Sequence, residues 1–285
     1  MHKAIVACLL TTLAAQNPGE SPTDLRELAQ RIDQAHRPKG PVPPVTAFRI
    51  DLTLHLQDPA AEQRGQIDLG VQFMMWTPEG KKERPLLRYE VRDAGKPTVR
   101  GRDQFGYWQL SQGKPVDLTT TELAVDLENC QRHTSLARQL LRLLGPGEVL
   151  RSMREPSAVR VEKLAIEHGK PPIECFTVVG TLPSFPLLQM GGDDAPVQLQ
   201  FYVTKDKSTL LALDATPIIE GKPDTLKTER TLLGDLRERD GLLVPHELRH
   251  LFRDSSGALR PHSRTVLVRV SLRPELRVED FDRDR

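Results

Sequence analysis

Apolar and polar side chains alternate along several segments of this chain, which is the pattern of half-buried β-strands. Between residues 48 and 56 every second side chain is apolar, from Phe48 to Leu56. The alternation recurs in residues 67–73 and 87–91, and residues 105–110 predict a fourth strand. Because turns containing Pro and Gly separate these segments, they predict an antiparallel sheet with one apolar face.

The second half of the chain predicts a further series of strands. They are expected in residues 159–166, 173–181, 197–204, 209–215, 225–236, 244–252 and 265–272. Residues 182–196 read as a loop, with the Gly-Gly-Asp-Asp sequence at its tip. No repeat of the solenoid or propeller type is present, so one long sheet is expected.

In two segments the apolar residues recur with the period of an α-helix. Residues 25–35 place leucines and alanines on one face, and Ser21 with Pro22 is a typical helix start. A proline-rich connector follows in residues 37–44. Residues 119–144 are leucine-rich and predict helix, with a break at His133-Thr134 and an end at Gly145-Pro146-Gly147.

A long sheet with one apolar face must either close or curl around the helices and leave a groove. A groove lined by the alternating apolar residues would suit an acyl chain. The alternative is that the same residues form an ordinary core. The candidate lining residues are Phe48, Ile50, Leu52, Leu69, Val71, Phe73, Tyr89, Phe201, Val203, Leu211 and Leu213.

The first sixteen residues have the order of a secretory signal peptide. A short basic start is followed by the apolar run 4–10, then small residues, and then Asn17-Pro18-Gly19. We expect cleavage near Ala15 or Gln16 and a soluble, periplasmic mature protein. The apolar run is too short to span a bilayer, and no later segment is apolar enough to do so.

Charge, cysteine content and motifs limit the classes of partner and cofactor that this chain can be expected to bind. Lys and Arg total 40 against 39 for Asp and Glu, so no net field favours nucleic acid. Cleavage would remove Cys8 and leave Cys130 and Cys175, whose pairing the sequence leaves open. No dinucleotide fingerprint, phosphate-binding loop or nucleophile elbow is present, so no cofactor is expected.

One motif points to an enzyme. Residues 246–250 read H-E-L-R-H, which on a helix places two imidazoles beside a zinc ion with Glu247 as general base. The flanking residues, however, alternate as in a strand, where His246 and His250 would lie about 13 Å apart. Zinc bound at about 2.1 Å from each nitrogen needs them adjacent. A zinc peptidase is therefore an alternative, and the expectation is no metal site.

The order of four segments resembles the bacterial outer-membrane lipoprotein-sorting superfamily, the LolA/LolB-like proteins. These are the strand pair at 200–211, the DGLLVPHEL stretch at 240–248, the strand at 265–272 and the PELRVEDFD ending at 274–282. The resemblance implies a mainly β (α+β) fold, in which a curved, unclosed antiparallel β-barrel carries a few helices as a lid. It also implies an apolar cavity that carries lipid or lipoprotein.

The expected organisation is a signal peptide in 1–16, a helix and connector in 17–44, and one β domain in 45–285 with a helical insertion near 119–152. The predicted function is an exported, non-enzymatic carrier or sensor for lipid or lipoprotein acyl chains. Its expected partners are a lipid or lipidated protein and other envelope proteins. A ligand-free envelope scaffold is the other alternative.

Overall fold

In a computed structural model, the chain forms one large curved sheet covered by helices. The structure describes residues 24–57, 64–79, 82–92, 98–116, 118, 124–166, 169–189 and 194–283. These residues form a 14-stranded antiparallel sheet and three α-helices. The predicted signal peptide in residues 1–16 lies outside the described residues.

The strands follow one another as two meanders that meet in the middle of the sheet. The strand order is β6-β5-β4-β3-β2-β1-β14-β13-β12-β10-β9-β8-β7, with β11 paired to β10 alone. The strands are β1 (Ala47–Gln57), β2 (Arg64–Trp76), β3 (Arg84–Val91), β4 (Thr98–Arg102), β5 (Tyr107–Ser111), β6 (Lys114–Val116), β7 (Arg160–Leu164), β8 (Ile173–Pro186), β9 (Asp194–Thr204), β10 (Leu210–Ile219), β11 (Lys222–Pro223), β12 (Glu229–Arg239), β13 (Leu242–Arg253) and β14 (Leu259–Leu272).

The sheet is not closed, which confirms the predicted fold class. β6 and β7 are the two ends of the strand order in the described part of the chain. The first and last long strands, β1 and β14, pair along most of their length, and this pairing joins the two meanders. Irregularities in the ladders at Asp51/Leu52, Leu210/Ala212 and His250/Leu251 add local twist to the sheet.

Three helices cover one face of the sheet: α1 (Leu25–His36), α2 (Ala124–Leu143) and α3 (Pro146–Arg151). Helix α1 begins one residue after Asp24, whose carboxylate accepts the N–H of Glu27 at 2.9 Å. Asp24 is therefore the N-cap. Ser21 and Pro22, which the sequence predicts at the helix start, lie outside the described residues. His36 Nε2 accepts the N–H of Leu210 and fixes the end of α1 to β10.

The structure corrects the sequence prediction at several boundaries. Helix α2 runs unbroken through His133 and Thr134, whose side chains bond to carbonyl groups of the preceding turn. α3 follows directly, with Pro146 in its first turn, where the missing N–H needs no partner. β4 was not predicted, and β8 and β9 extend into the expected loop at 182–196. Phe105 lies in the turn before β5 and is exposed.

The main hydrophobic core lies between the sheet and the helices. It joins Leu28 and Ile32 of α1, Leu140 and Leu143 of α2, and Leu150 of α3 to the inward side chains of the strands. A second, smaller cluster lies on the opposite face of the sheet around Tyr202 and Ala212. The inner face therefore carries the candidate site.

Candidate ligand site beneath helix α2

Ten of the eleven predicted lining residues belong to the main core on the inner face: Phe48, Ile50, Leu52, Leu69, Val71, Phe73, Tyr89, Phe201, Val203 and Leu213. The exception is Leu211, which packs against the second cluster on the other face. The ladder between β9 and β10 is irregular between Leu210 and Ala212, and this irregularity takes Leu211 out of the simple alternation. The strict alternation predicted for Leu211 and Leu213 was therefore wrong.

A small cavity of about 20 Å³ lies between the sheet and α2. Its walls are mostly apolar: Phe48, Ile50, Leu52, Val71, Leu136, Ala137, Leu140, Leu248 and Leu267, together with His133 and Thr265. A space of this size holds roughly one water molecule. In this conformation, α2 therefore fills most of the predicted groove, and the remaining gap lies directly beneath it.

Few polar contacts hold the first half of α2 to the sheet. Asp126 accepts from the Arg100 guanidinium of β4 and from Gln109 of β5. The Tyr89 hydroxyl donates weakly to Cys130 Sγ at 3.7 Å, and the His133 ring stacks on Tyr89 at 4.4 Å between centroids. These contacts fix the rotation of the helix, so that His133 and Leu136 face the cavity.

The second half of α2 is held by one buried carboxylate. Gln139 Nε2 donates to Glu229 of β12 at 3.4 Å and to the Pro186 carbonyl at 2.8 Å. Glu229 also accepts the N–H groups of Leu188 and Gln189. Burial raises the pKa of Glu229 to about 7, although these hydrogen bonds oppose the change. The carboxylate therefore links α2, β12 and the segment that follows β8.

The inner face is not uniformly apolar, and the sequence analysis missed this. Inward residues of β12, β13 and β14 include Thr231, His246, His250, Ser263 and Thr265, all buried. A sequence signal was available, because these polar residues occupy the apolar-period positions next to Leu233, Leu248 and Leu267. The predicted groove lining contains none of these five residues.

His246 and His250 both lie on β13, as predicted, and point inward. His246 Nδ1 bonds to the Leu267 carbonyl, and His250 Nδ1 bonds to the Thr231 hydroxyl. Glu247 lies between them in the strand, points to the other face and pairs with Arg249 and Arg264. Within the described residues, no three His, Cys, Asp or Glu side chains come together in a metal-binding group. This geometry does not place Glu247 beside the two imidazoles.

The two described cysteines are free thiols on different sides of the sheet. Cys130 lies in α2 next to Tyr89, whereas Cys175 belongs to the second cluster. Burial raises the pKa of each thiol to about 11. The chain also contains no membrane-crossing candidate among its described helices, since none is both long and apolar enough.

No protein-family profile matches the chain, and no curated protein matches it. Thirteen solved chains are similar to it, including the following three. A DUF1329 family protein from Desulfovibrio piger has 12% identity and a TM-score of 0.46, over 92% of this chain and 98% of that chain. An outer membrane lipoprotein-sorting protein domain from Vibrio parahaemolyticus has 10% identity and a TM-score of 0.44, over 92% and 97%.

The third is a LolA superfamily protein from Nitrosomonas europaea, with 11% identity and a TM-score of 0.44, over 91% of this chain and 97% of that chain. Two of the three names are those of the superfamily that the sequence resembles. All three TM-scores are below 0.5.

Proposed function

We propose that this chain is an exported envelope protein that binds an acyl chain of a lipid or a lipoprotein beneath α2, as a carrier or sensor. The observation that carries the proposal is the apolar cavity between α2 and the sheet. Phe48, Ile50, Leu52 and Val71 form its floor, and Leu136 and Leu140 form its cover. Each methylene buried there would contribute about 0.8 kcal/mol.

Binding a whole chain requires α2 to move, because the cavity holds only about one water molecule. The inner side of α2 supports reversible closure. Ser135 Oγ and Gln139 Oε1 are buried without a hydrogen-bond partner. Each such group costs about 1–3 kcal/mol, so this interface is weaker than an apolar one of the same area.

The small volume of the cavity favours one competing function, a scaffold with a filled core. In that case α2 never leaves the sheet and no ligand enters. The zinc peptidase is not favoured. His246 and His250 lie on one strand and already hydrogen-bond to the Leu267 carbonyl and the Thr231 hydroxyl, and Glu247 points to the opposite face of the sheet. The proposal is therefore a non-enzymatic role, with a lipid or lipidated protein as the partner.

Titration with a fluorescent fatty acid, together with native mass spectrometry of the purified protein, tests the proposal. Saturable binding and a bound acyl species are expected for the wild type. Val71→Glu should weaken binding tenfold or more, because it buries a charge in the cavity wall. Val161→Glu is the matched control on the exposed side of β7, and it should bind as the wild type does.

Circular dichroism must show that both variants are folded. If Val71→Glu does not fold, Leu136→Ala on the cover replaces it, and a measurable change in affinity is expected. No saturable binding to folded wild-type protein would support the scaffold instead. Export is tested separately: N-terminal mass analysis of periplasmic protein should give a start near Gln16 or Asn17, without lipid on Cys8.

A further inference from the structure

The inner surface of the sheet has two unlike walls. The apolar wall consists of Phe48, Ile50, Leu52 and Val71 on β1 and β2. The polar wall consists of Thr231, His250, Ser263 and Thr265 on β12, β13 and β14. His250 of β13 pairs with Thr231 of β12 on one side and with Ser263 of β14 on the other. Thr265 of β14 pairs with Leu248 of β13. Since β1 pairs with β14, the two walls adjoin each other.

Several polar atoms at this junction have no partner. Thr265 is 0% exposed, and its Oγ1 makes no hydrogen bond. The Nε2 atoms of His133 and His250 are also buried and make no hydrogen bond. Thr265 and His133 line the same cavity from opposite sides, one on the sheet and one on α2. Buried polar groups are nearly always paired, with protein, water or a ligand. This pair therefore points to a bound polar group.

The protonation of His133 and the Thr265 hydroxyl determine which donor and acceptor atoms the bound group must have. His133 Nδ1 lies 2.6 Å from the Asn129 carbonyl, which can only accept, so Nδ1 carries the proton. Nε2 is then an acceptor and needs a donor from the ligand. The Thr265 hydroxyl can donate to a carbonyl oxygen. Burial lowers the pKa of His133 to about 4, so the ring is neutral near pH 7.

No charged side chain lines the described cavity walls. A carboxylate or phosphate bound here would be buried without a counter-charge, which is strongly unfavourable. An ester has an acceptor for Thr265 but no donor for His133. A carboxamide has both, and it is neutral.

We propose that the site selects acyl chains that end in an amide, with the chain against the apolar wall and the amide between His133 and Thr265. The amide N–H donates to His133 Nε2, and its carbonyl oxygen accepts from Thr265 Oγ1. This selectivity rests on the proposed function, since it requires an acyl chain to enter beneath α2.

Displacement of a fluorescent fatty acid by three ligands of equal chain length tests the proposal: dodecanamide, methyl dodecanoate and dodecanoate. The amide should bind about fivefold or more tightly than the ester, as expected for one additional hydrogen bond. Thr265→Val keeps the shape of the side chain and removes the hydroxyl. His133→Phe keeps a ring to stack on Tyr89 and removes the acceptor. His133→Phe should abolish most of the preference for the amide, because only the amide can donate to His133 Nε2. Thr265→Val should weaken the amide and the ester to a similar extent, because the carbonyl oxygen of either ligand accepts from its hydroxyl.

Thr53→Val is the matched control, because Thr53 bonds to Asp68 on the outer face of the sheet. It should keep the wild-type preference. Equal binding of amide and ester, an unchanged preference in His133→Phe, or an unchanged amide affinity in Thr265→Val would overturn the inference and leave acyl binding intact; the pair would then hold only a water molecule. Tightest binding of dodecanoate would also overturn it. Failure of every acyl ligand to bind the wild type would reject the proposed function itself.

Discussion

Gln139 of α2 and Glu229 of β12 join the covering helix to the sheet. The Gln139 amide donates to the Glu229 carboxylate at 3.4 Å, and both side chains are buried. The same carboxylate receives two backbone N–H groups from Leu188 and Gln189, one on each oxygen. The Glu229 carboxylate therefore ties the second half of the lid helix to β12 and to the segment after β8.

Replacement of this carboxylate by an amide should weaken the fold. Glu229→Gln should lower the free energy of unfolding by about 1–3 kcal/mol, because the new NH₂ group must face one of the two N–H donors. Urea unfolding followed by circular dichroism measures the change. Glu90→Gln on the exposed side of β3 is the control, with an expected change within about 0.5 kcal/mol. Equal stability of the two variants would contradict this account of Glu229.

The effect of Glu229→Gln should also depend on pH. Burial raises the pKa of Glu229 to about 7, so the folded protein holds this proton more tightly than the unfolded chain. The resulting stabilisation is fully present below about pH 4.5 and is lost as the pH rises through about 7. The difference between wild type and variant should therefore be about 2–3 kcal/mol larger at pH 5 than at pH 8. A constant difference would show that Glu229 is ionised throughout.

Three histidines with a lowered pKa should act in the opposite direction. Burial lowers the pKa of His36 and His133 to about 4 and that of His250 to about 3. Their contribution is present above about pH 6.5 and is lost as the pH falls, by about 1.4 kcal/mol per pH unit for each histidine. Urea unfolding at three pH values between 5 and 7 should show this loss. His133→Phe should reduce the slope by one such contribution, and an unchanged slope would contradict the burial of this ring.

Gly147 of α3 packs against Ala29 and Asp33 of α1. A Cβ at this position would lie 2.4 Å from Asp33 Oδ1 and 2.9 Å from the Ala29 carbonyl, and Asp33 is held by Arg151. Gly147→Ala should therefore destabilise the protein by about 1–3 kcal/mol, although alanine is the better helix former. Gly65→Ala is the control, because its nearest neighbour would lie at 3.9 Å. Thermal unfolding measures both, and a stabilising effect at Gly147 would show that the two helices are less closely packed.

Cys130 and Cys175 should remain reduced and react slowly. They lie on opposite sides of the sheet, and burial raises the pKa of each thiol to about 11. In protein that begins after residue 16, a thiol reagent such as DTNB should label neither cysteine in the native state and both in urea. An intact mass that is two hydrogens lower, with no labelling in urea, would instead indicate a disulfide.

The strands and the faces they share could be predicted from the sequence for a simple reason. Neighbouring side chains of a strand point to opposite faces, so the alternation in residues 48–56 and 67–73 places Phe48, Ile50, Leu52 and Val71 together wherever the sheet lies. The same rule failed at Leu211, where an irregular ladder shifts the side chain to the other face. Alternation determines the shared face only while the ladder is regular.

How closely α2 packs on the sheet, and which contacts hold it there, could not be predicted from the sequence. Whether α2 leaves a groove or a gap of about 20 Å³ depends on how closely the helix packs on the sheet, which no local pattern records. The link between Gln139 and Glu229 spans ninety positions of the chain, and His133 and Thr265 line one cavity only because α2 packs on the sheet. Side-chain alternation is local, so the strands and most of the apolar wall could be predicted from the sequence. The packing of the lid helix and the burial of Glu229 depend instead on contacts between residues far apart in the chain, which come together only in the folded protein.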